Sequence, residues 1–336
     1  MKTLQQNERD YINSILSSVH ELGYIDTTKQ ILLLPKFNVH LNERLPFFLN
    51  FINDCETECK RLKKPAIHLI GFFTLYDAFR EHAEPSEKPF FVEANPAMLE
   101  MYKGKGSAGE PGRFIQPYIY KDVFPYFKYP VIAFGRQKND PYTLMIPDTD
   151  FLRFKGYVEL RNEIDRNDTK WENKKNIMFW RGGIHGFGYR EYDKTEPARC
   201  QRKMLTEYKN DWLDAKSSYT TTKKEMLEYK YQIDIDGEVN AWSGLWWKLY
   251  SNSVVFKVDS HYEQWYYKDM KEWEHYIPIK PDLSDIEEKY KWAIENDDKC
   301  KKIAENGRIF AEKLKYEKVV NDYVNLLVAP DIIMEK

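Results

Sequence analysis

Short apolar runs alternate with amphipathic stretches along the whole chain. In the first half, KQILLLPKF (29–37), AIHLIGFF (66–73), PFFVEA (89–94) and YPVIAFG (129–135) read as buried strands. LPFFLNFINDCETECKRL (45–62) reads as a helix between the first two. Strands alternating with helices predict a parallel α/β sheet. The second half repeats the pattern. NIMFWRG (176–182) predicts a strand running into a glycine-rich turn, and YKYQIDIDG (229–237) a strand ending at Gly237. WSGLWWKLYSN (242–252) predicts a short helix and SVVFKVD (253–259) the next strand. In PDLSDIEEKYKWAIEN (281–296), Ser284 precedes Glu287 at the spacing of a capping box, and Ile286, Tyr290, Ala293 and Ile294 follow at helical spacing. The tail from Lys301 to Val328 predicts helix with a break near Gly307. The expected architecture is α/β: two Rossmann-like domains facing across a cleft, with C-terminal helices. Ligands of such sheets bind at the carboxyl ends of the strands.

The 336 residues are 42% hydrophobic and 31% charged, a composition that suits two folded domains and excludes a disordered chain. A net charge of −2 gives no global field for nucleic acid or an anionic membrane, so neither is an expected partner. No run approaches the roughly 18 apolar residues of a membrane helix. The opening MKTLQQNERDYINS lacks the apolar core of a signal peptide. The expected location is therefore the cytoplasm, of a bacterium or, for a viral protein, of the infected host. Cys55, Cys59, Cys200 and Cys300 are then expected to be reduced structural thiols. All nine tryptophans lie at or after Trp171, which core packing or an aromatic stacking surface would each explain. With the charged stretch RNEIDRNDTKWENKK (161–175), this shift predicts domains at 1–165 and 166–336.

Five segments carry candidate chemistry. Gly104, Gly106 and Gly109 spell GxGxxG, but a helix-like NPAMLEMY precedes them and Glu110-Pro111-Gly112 follows. A dinucleotide fingerprint needs a strand before and a helix after, so a loop is the reading here. Arg181, Gly182 and Gly183 open a glycine-rich turn after a strand. Glycines admit backbone N–H groups to a phosphate, and an arginine fork can hold it. From Tyr231 to Lys257, a strand ends at Asp236-Gly237 and a helix begins at Ser243-Gly244, with Lys248 one turn in. A helix start offers free N–H groups to a diphosphate. Asp234 and Asp236 form a candidate metal pair, although a strand end is expected to direct only one of them to the site. Glu263, followed by Trp265, Tyr266 and Tyr267, suits sugar hydroxyls and ring stacking, or plain aromatic packing. In Ile146 to Phe151, Asp148 and Asp150 are candidate bases for an acceptor hydroxyl, or helix-capping acids.

Taken in order, IPDTDFLRFKGY (146–157), FWRGG (179–183), YQIDIDG with WSGLWWKLYSNSVVFK (231–257), EQWYY (263–267) and EWEHYIPIKPDLSDIEEKYKWA (272–293) resemble glycosyltransferase family 90. This is the family of capsule-associated, lipopolysaccharide-modifying and protein O-glucosyltransferase-like enzymes, and the likeness is to its bacterial or viral branch. The resemblance covers roughly residues 125–315. It implies a GT-B architecture, a UDP-sugar donor (UDP-glucose or UDP-xylose), inversion at the anomeric carbon and no obligatory metal or cofactor. The implied partners are that donor and a glycan or glycoconjugate acceptor. The first domain would then serve the acceptor and the second the nucleotide sugar. Arg181, Gly182 and Gly183 fall on the donor-loop motif. Asp236, Gly237, Trp242, Ser243, Gly244 and Lys248 fall on the diphosphate-and-sugar segment, with Ser253 and Glu263 as weaker matches.

Two departures stand out. The animal enzymes carry their catalytic aspartate in an Arg-Asp-Tyr-Pro segment, where this chain reads Lys155-Gly156-Tyr157. Asp148, preferred over Asp150, is the expected replacement. An arginine of the animal diphosphate segment is also missing, and Lys248, Arg199 or Arg202 would supply its charge. The expected activity is inverting transfer of glucose or xylose from a UDP-sugar to a glycan hydroxyl. The alternative is a non-catalytic glycan- or nucleotide-binding protein on the same scaffold.

Overall fold

A computed structural model describes residues 4–18, 22–35, 41–75, 79–81, 113–115, 128–138, 143–184, 201–237, 240–260 and 262–328. The glycines at 104, 106 and 109, the PFFVEA run, Cys200 and Arg199 lie outside them. The chain divides into two compact units. One comprises Met1–Thr149, Tyr262–Trp265 and Glu317–Lys336; the other Asp150–His261 and Tyr266–Tyr316. The division thus falls at 149/150 rather than 165, and the end of the chain returns to the first unit. Among the described residues, no helix is long and apolar enough to cross a membrane.

The first unit holds α1 (Gln6–Ser18) and α2 (Leu41–Arg61) beside strands β1 (Gly23–Asp26), β2 (Ile31–Leu33), β3 (Ile70–Phe73), β4 (Phe79–Glu81), β5 (Arg113–Ile115), β6 (Val131–Ala133), β7 (Gly135–Gln137) and β8 (Thr143–Met145). The main sheet has the order β2-β1-β3-β6-β8, and β4 pairs with β5. It is mixed, where an all-parallel sheet was expected. The reason is local: only four residues join β1 to β2, and so short a link permits only antiparallel pairing. Asp26 closes that turn, its Oδ1 accepting from the Thr28 N–H and hydroxyl and from the Lys29 N–H. The pairs β3–β6 and β6–β8 are parallel. Helix α2 buries Phe48, Phe51, Ile52, Cys55 and Cys59, a three-and-four spacing that puts them on one face. Both thiols are thus packing groups, and burial raises their pKa values, that of Cys55 to about 12.

The second unit starts with α3 (Thr149–Arg153) and α4 (Val158–Asn167). It continues through β9 (Lys175–Gly182), α5 (Gln201–Glu207), β10 (Leu213–Ser217), α6 (Lys223–Met226), β11 (Tyr229–Asp234), α7 (Gly244–Tyr250) and β12 (Val254–Val258). After β13 (Tyr262–Gln264), which belongs to the first unit and pairs there with β7, come β14 (Ile277–Ile279), α8 (Ile286–Glu295) and α9 (Asp297–Glu312) of the second. The sheet has the order β10-β9-β11-β12-β14, and every pairing in it is parallel. Its central strands are buried on both faces, as a helix-covered parallel sheet requires. Trp171 and Trp180 belong to this core, Trp212 and Trp292 pack against it, and Trp246 and Trp247 are also buried.

Two helix signals fall differently from the sequence reading. Asp285, not Ser284, caps α8, and no side chain bonds the cap. A capping box occurs instead at Thr222 and Glu225, opening α6. Helix α9 runs through Gly307 without a break, because there the glycine serves close packing. A Cβ at 307 would lie 2.9 Å from the His275 carbonyl and 3.2 Å from Leu249. The chain turns at Lys313–Lys315 and enters α10 (Tyr316–Val328), whose Tyr323 donates to the Met145 carbonyl at 2.6 Å in the first unit.

Candidate functional site

In chain order the five strands of the second sheet run 2-1-3-4-5, so the order reverses between β9 and β11. Connections leave a reversal point in opposite directions, and a crevice opens there at the strands' carboxyl ends. A cavity of about 200 Å³ lies at that place. Trp180 and Arg181 of β9, Arg202 of α5, Lys223 and Met226 of α6, and Asp234 to Gly237 at the end of β11 line it. Asn240, Ala241, Trp242, Gly244, Leu245, Trp247 and Lys248 complete the wall. The volume falls short of the roughly 300–1,000 Å³ of a whole ligand site, so the described walls enclose only part of such a site.

The wall carries four cations and two carboxylates. Lys248 Nζ donates to Asp234 Oδ1 at 2.7 Å, with both side chains largely buried. Burial alone would raise the Asp234 pKa, but Lys248 and Lys257 outweigh it and hold it low. Asp236 shows the opposite shift: burial raises its pKa, and Lys257 at 4.0 Å offsets this only in part. Its Oδ2 is buried without a hydrogen-bond partner among the described residues. Asp234 and Asp236 both line the cavity, contrary to the expectation that only one would. Residues two apart share a face, and the strand's exit keeps that parity.

Arg181 lines the cavity, yet its guanidinium is spent. It donates to the Asp214 carboxylate and carbonyl, each at 2.7 Å, and stacks on Phe179. These bonds tie β9 to β10 at the cavity wall. Gly182 lies against the Trp180 ring, and Gly183 accepts from Arg202 through its carbonyl at 3.2 Å. Arg202 also donates to the Ile235 carbonyl, and its guanidinium lies 3.2–3.3 Å from where a Cβ at Gly237 would sit. A Cβ at Gly237 would therefore press on the end of this arginine. Gly244 has open space around its Cα, and Trp242, 43% exposed, stands at the cavity wall. Helix α7 has only seven residues, so its dipole adds little and the lining cations dominate.

A family model for Glycosyl transferase family 90 matches residues 120–329. The chain belongs to this family. Protein O-glucosyltransferase 2 of Danio rerio is 36% identical over 187 residues, 52% of this chain and 37% of that protein. Protein O-glucosyltransferase 3 of Homo sapiens is 44% identical over 90 residues, 27% of this chain and 18% of that protein. Uncharacterized protein 179R of Invertebrate iridescent virus 6 is 34% identical over 115 residues, 32% of this chain and 10% of that protein. The chain spans well under half the length of these curated relatives.

Ser253 and Glu263, the weaker matches of this family 90 chain, are not among the residues that line the cavity. Ser253 is buried and donates to the Tyr229 carbonyl at 2.9 Å, securing the entry to β11. Glu263 belongs to the first unit, where Arg136 donates to it at 2.6 Å across the β7–β13 pair. Tyr266 and Tyr267 pack on each other, and Tyr266, buried, also packs on Phe310, so Tyr266 is a core aromatic. The two candidate bases also separate. Asp148, the candidate preferred from the sequence, is fully buried in the first unit, whereas a base must reach its acceptor. Asp150 is partly exposed in α3 and accepts from the Ser243 hydroxyl, between cavity residues Trp242 and Gly244.

Lys155, Gly156 and Tyr157 take three consecutive left-handed conformations, φ 43°, 87° and 61°. Arg161 donates to the Gly156 carbonyl and to the carbonyls of Ala311 and Leu314, and Tyr157 stacks on Trp246 at 4.2 Å. A Cβ at Gly156 would lie 2.8 Å from the Tyr316 nitrogen. The segment thus excludes a side chain at Gly156, where the family resemblance expects the Arg-Asp-Tyr segment.

One cation of the cavity wall escaped the sequence reading. Lys223 shows no apolar periodicity and no glycine-rich turn marks it. The Thr222–Glu225 capping box was the available signal. Its Nζ sits 3.8 Å above the Trp247 ring.

Proposed function

We propose that this chain is an inverting glycosyltransferase that moves glucose or xylose from a UDP-sugar to a glycan hydroxyl. The acceptor class is a surface polysaccharide, a lipopolysaccharide or a glycoprotein glycan. The observation that carries this reading is the cation-lined cavity at the order reversal of a parallel sheet, in a chain of family 90. The GT-B architecture implied by the family belongs to the same proposal.

In this reading the cations take the diphosphate, and Asp236 Oδ2 accepts a hydrogen bond from a hydroxyl of the sugar or ribose. The acceptor oxygen attacks the anomeric carbon as the bond to the phosphate oxygen breaks, and UDP departs with that electron pair. Asp150 takes the acceptor's proton. Fixed cations need no reorganisation as charge grows on the leaving group, and so favour the transition state.

UDP release is the assay, run over UDP-glucose, UDP-xylose and other UDP- and GDP-sugars with glycan acceptors. Acceptor-dependent turnover with one UDP-sugar is expected. UDP binding with no turnover for any pair would overturn catalysis. It would favour a non-catalytic nucleotide or glycan binder, the second reading that the side-chain-free Gly156 motivates.

A further inference from the structure

Of the four cations on the cavity wall, three already have acceptors in the chain. Arg181 is paired with Asp214 and Lys248 with Asp234. The Arg202 fork is engaged by the carbonyls of Ile235 and Gly183. Lys223 differs. Among the described residues no carboxylate lies within ion-pair distance of it, and its Nζ contacts the face of Trp247 instead. A ring face occupies one side of an ammonium and leaves its remaining N–H groups directed elsewhere. The Thr222–Glu225 capping box fixes the start of α6 and so fixes where this lysine emerges.

We infer that Lys223 is the cation that receives the phosphate charge of the donor, and that donor affinity follows its protonation. The inference rests on the nucleotide-sugar reading above and names the residue that reading lacked. Every charged group facing Lys223 enters the balance. Lys248 of α7 repels it, while Glu163 of α4 and Asp150 of α3 attract it. Arg181 with Asp214, Arg202, Asp234 and Asp236 lie around the same cavity, and Lys224 and Glu225 are on its own helix. Burial, reinforced by Lys248, brings the Lys223 pKa down to about 8. A bound phosphate favours the ammonium, so its pKa rises in the complex. Below pH 8 the cation is ready-made. Above it, binding must first take up a proton, and affinity falls.

The test is titration calorimetry with UDP at fixed ionic strength from pH 7 to pH 9, on the unmodified chain, Lys223→Arg and Lys223→Met. The unmodified chain should lose about tenfold in affinity across that range, the effect of one linked proton. Lys223→Arg keeps the charge but removes the titration, so its affinity should change less than about twofold. Lys223→Met should bind UDP weakly at every pH and bind uridine, which has no phosphate, as the unmodified chain does. Other titrating groups are common to all three proteins and cancel. UDP binding with no pH step, or an equal step in Lys223→Arg, would overturn the assignment of Lys223 alone. No UDP binding at any pH would instead overturn the nucleotide-sugar reading, and this inference with it.

Discussion

Each unit is built on a five-stranded sheet, but only the second sheet is parallel throughout. In the first, the β1–β2 turn is short enough to force an antiparallel hairpin, and its Asp26 is consumed in closing that turn. In the second, every strand returns by a crossover, so all carboxyl ends lie on one edge, and the order reversal between β9 and β11 opens that edge. Asp234 and Asp236 are buried acids too, but they face a cavity and cations rather than their own backbone. The same residue type is a turn-former in one sheet and a site residue in the other, and connectivity decides which.

The sharpest way to break this contrast is at the two candidate bases. Asp150→Asn should lower turnover by roughly 10²–10⁴-fold with UDP affinity nearly unchanged. Asp148→Asn should act mainly on stability. Equal turnover loss in both, by UDP release, would return Asp148 to contention. Next comes Lys248→Ala, which leaves Asp234 buried without its nearest cation. Unfolding free energy should fall by about 3 kcal/mol in urea melts, with weaker UDP binding. Asp234→Asn added to Lys248→Met should recover part of that stability. The deficit should also shrink as pH falls. The depressed Asp234 pKa means its pairing stabilises above the unfolded carboxylate's pKa and is lost as pH drops through the folded value.

The two smaller effects compare a glycine from each sheet. At Gly23, a Cβ would meet the Phe73 ring at 2.2 Å and the Leu33 carbonyl at 2.8 Å. Gly23→Ala should cost about 1–3 kcal/mol through overpacking and leave UDP affinity alone. Gly237→Ala presses only on the end of a flexible arginine, and should cost under about 1 kcal/mol while shifting UDP affinity a few-fold. If Gly23→Ala changed UDP affinity as much as Gly237→Ala does, the separation of framework and site would fail.

Much of the second unit was legible in the sequence. The strands at β9, β11 and β12, and helix α7, follow from unbroken apolar runs and helical spacing, both local signals. Arg181, Asp236, Gly237, Trp242, Gly244 and Lys248, singled out from separate motifs, line one cavity. The charge state of that cavity was not legible. Which acid claims which cation depends on contacts such as Arg181 to Asp214, 33 residues apart, and Lys248 to Asp234, 14 apart. Residue type thus marked Arg181 as a phosphate clamp, while packing spent its fork on a neighbouring strand.

By itself the sequence determined the family, the alternation of strand and helix and the segments that line the cavity, because these reside in local pattern and motif order. Tertiary structure decided the rest. It turned the first sheet antiparallel at one end, sent α10 back to the first unit, kept α9 whole at Gly307 and buried Asp148 while leaving Asp150 partly exposed. It also brought Lys223, which no motif announces, onto the face of Trp247 at the cavity wall. Burial, charge pairing and close approach are properties of neighbours in space, and those neighbours are far apart along the chain.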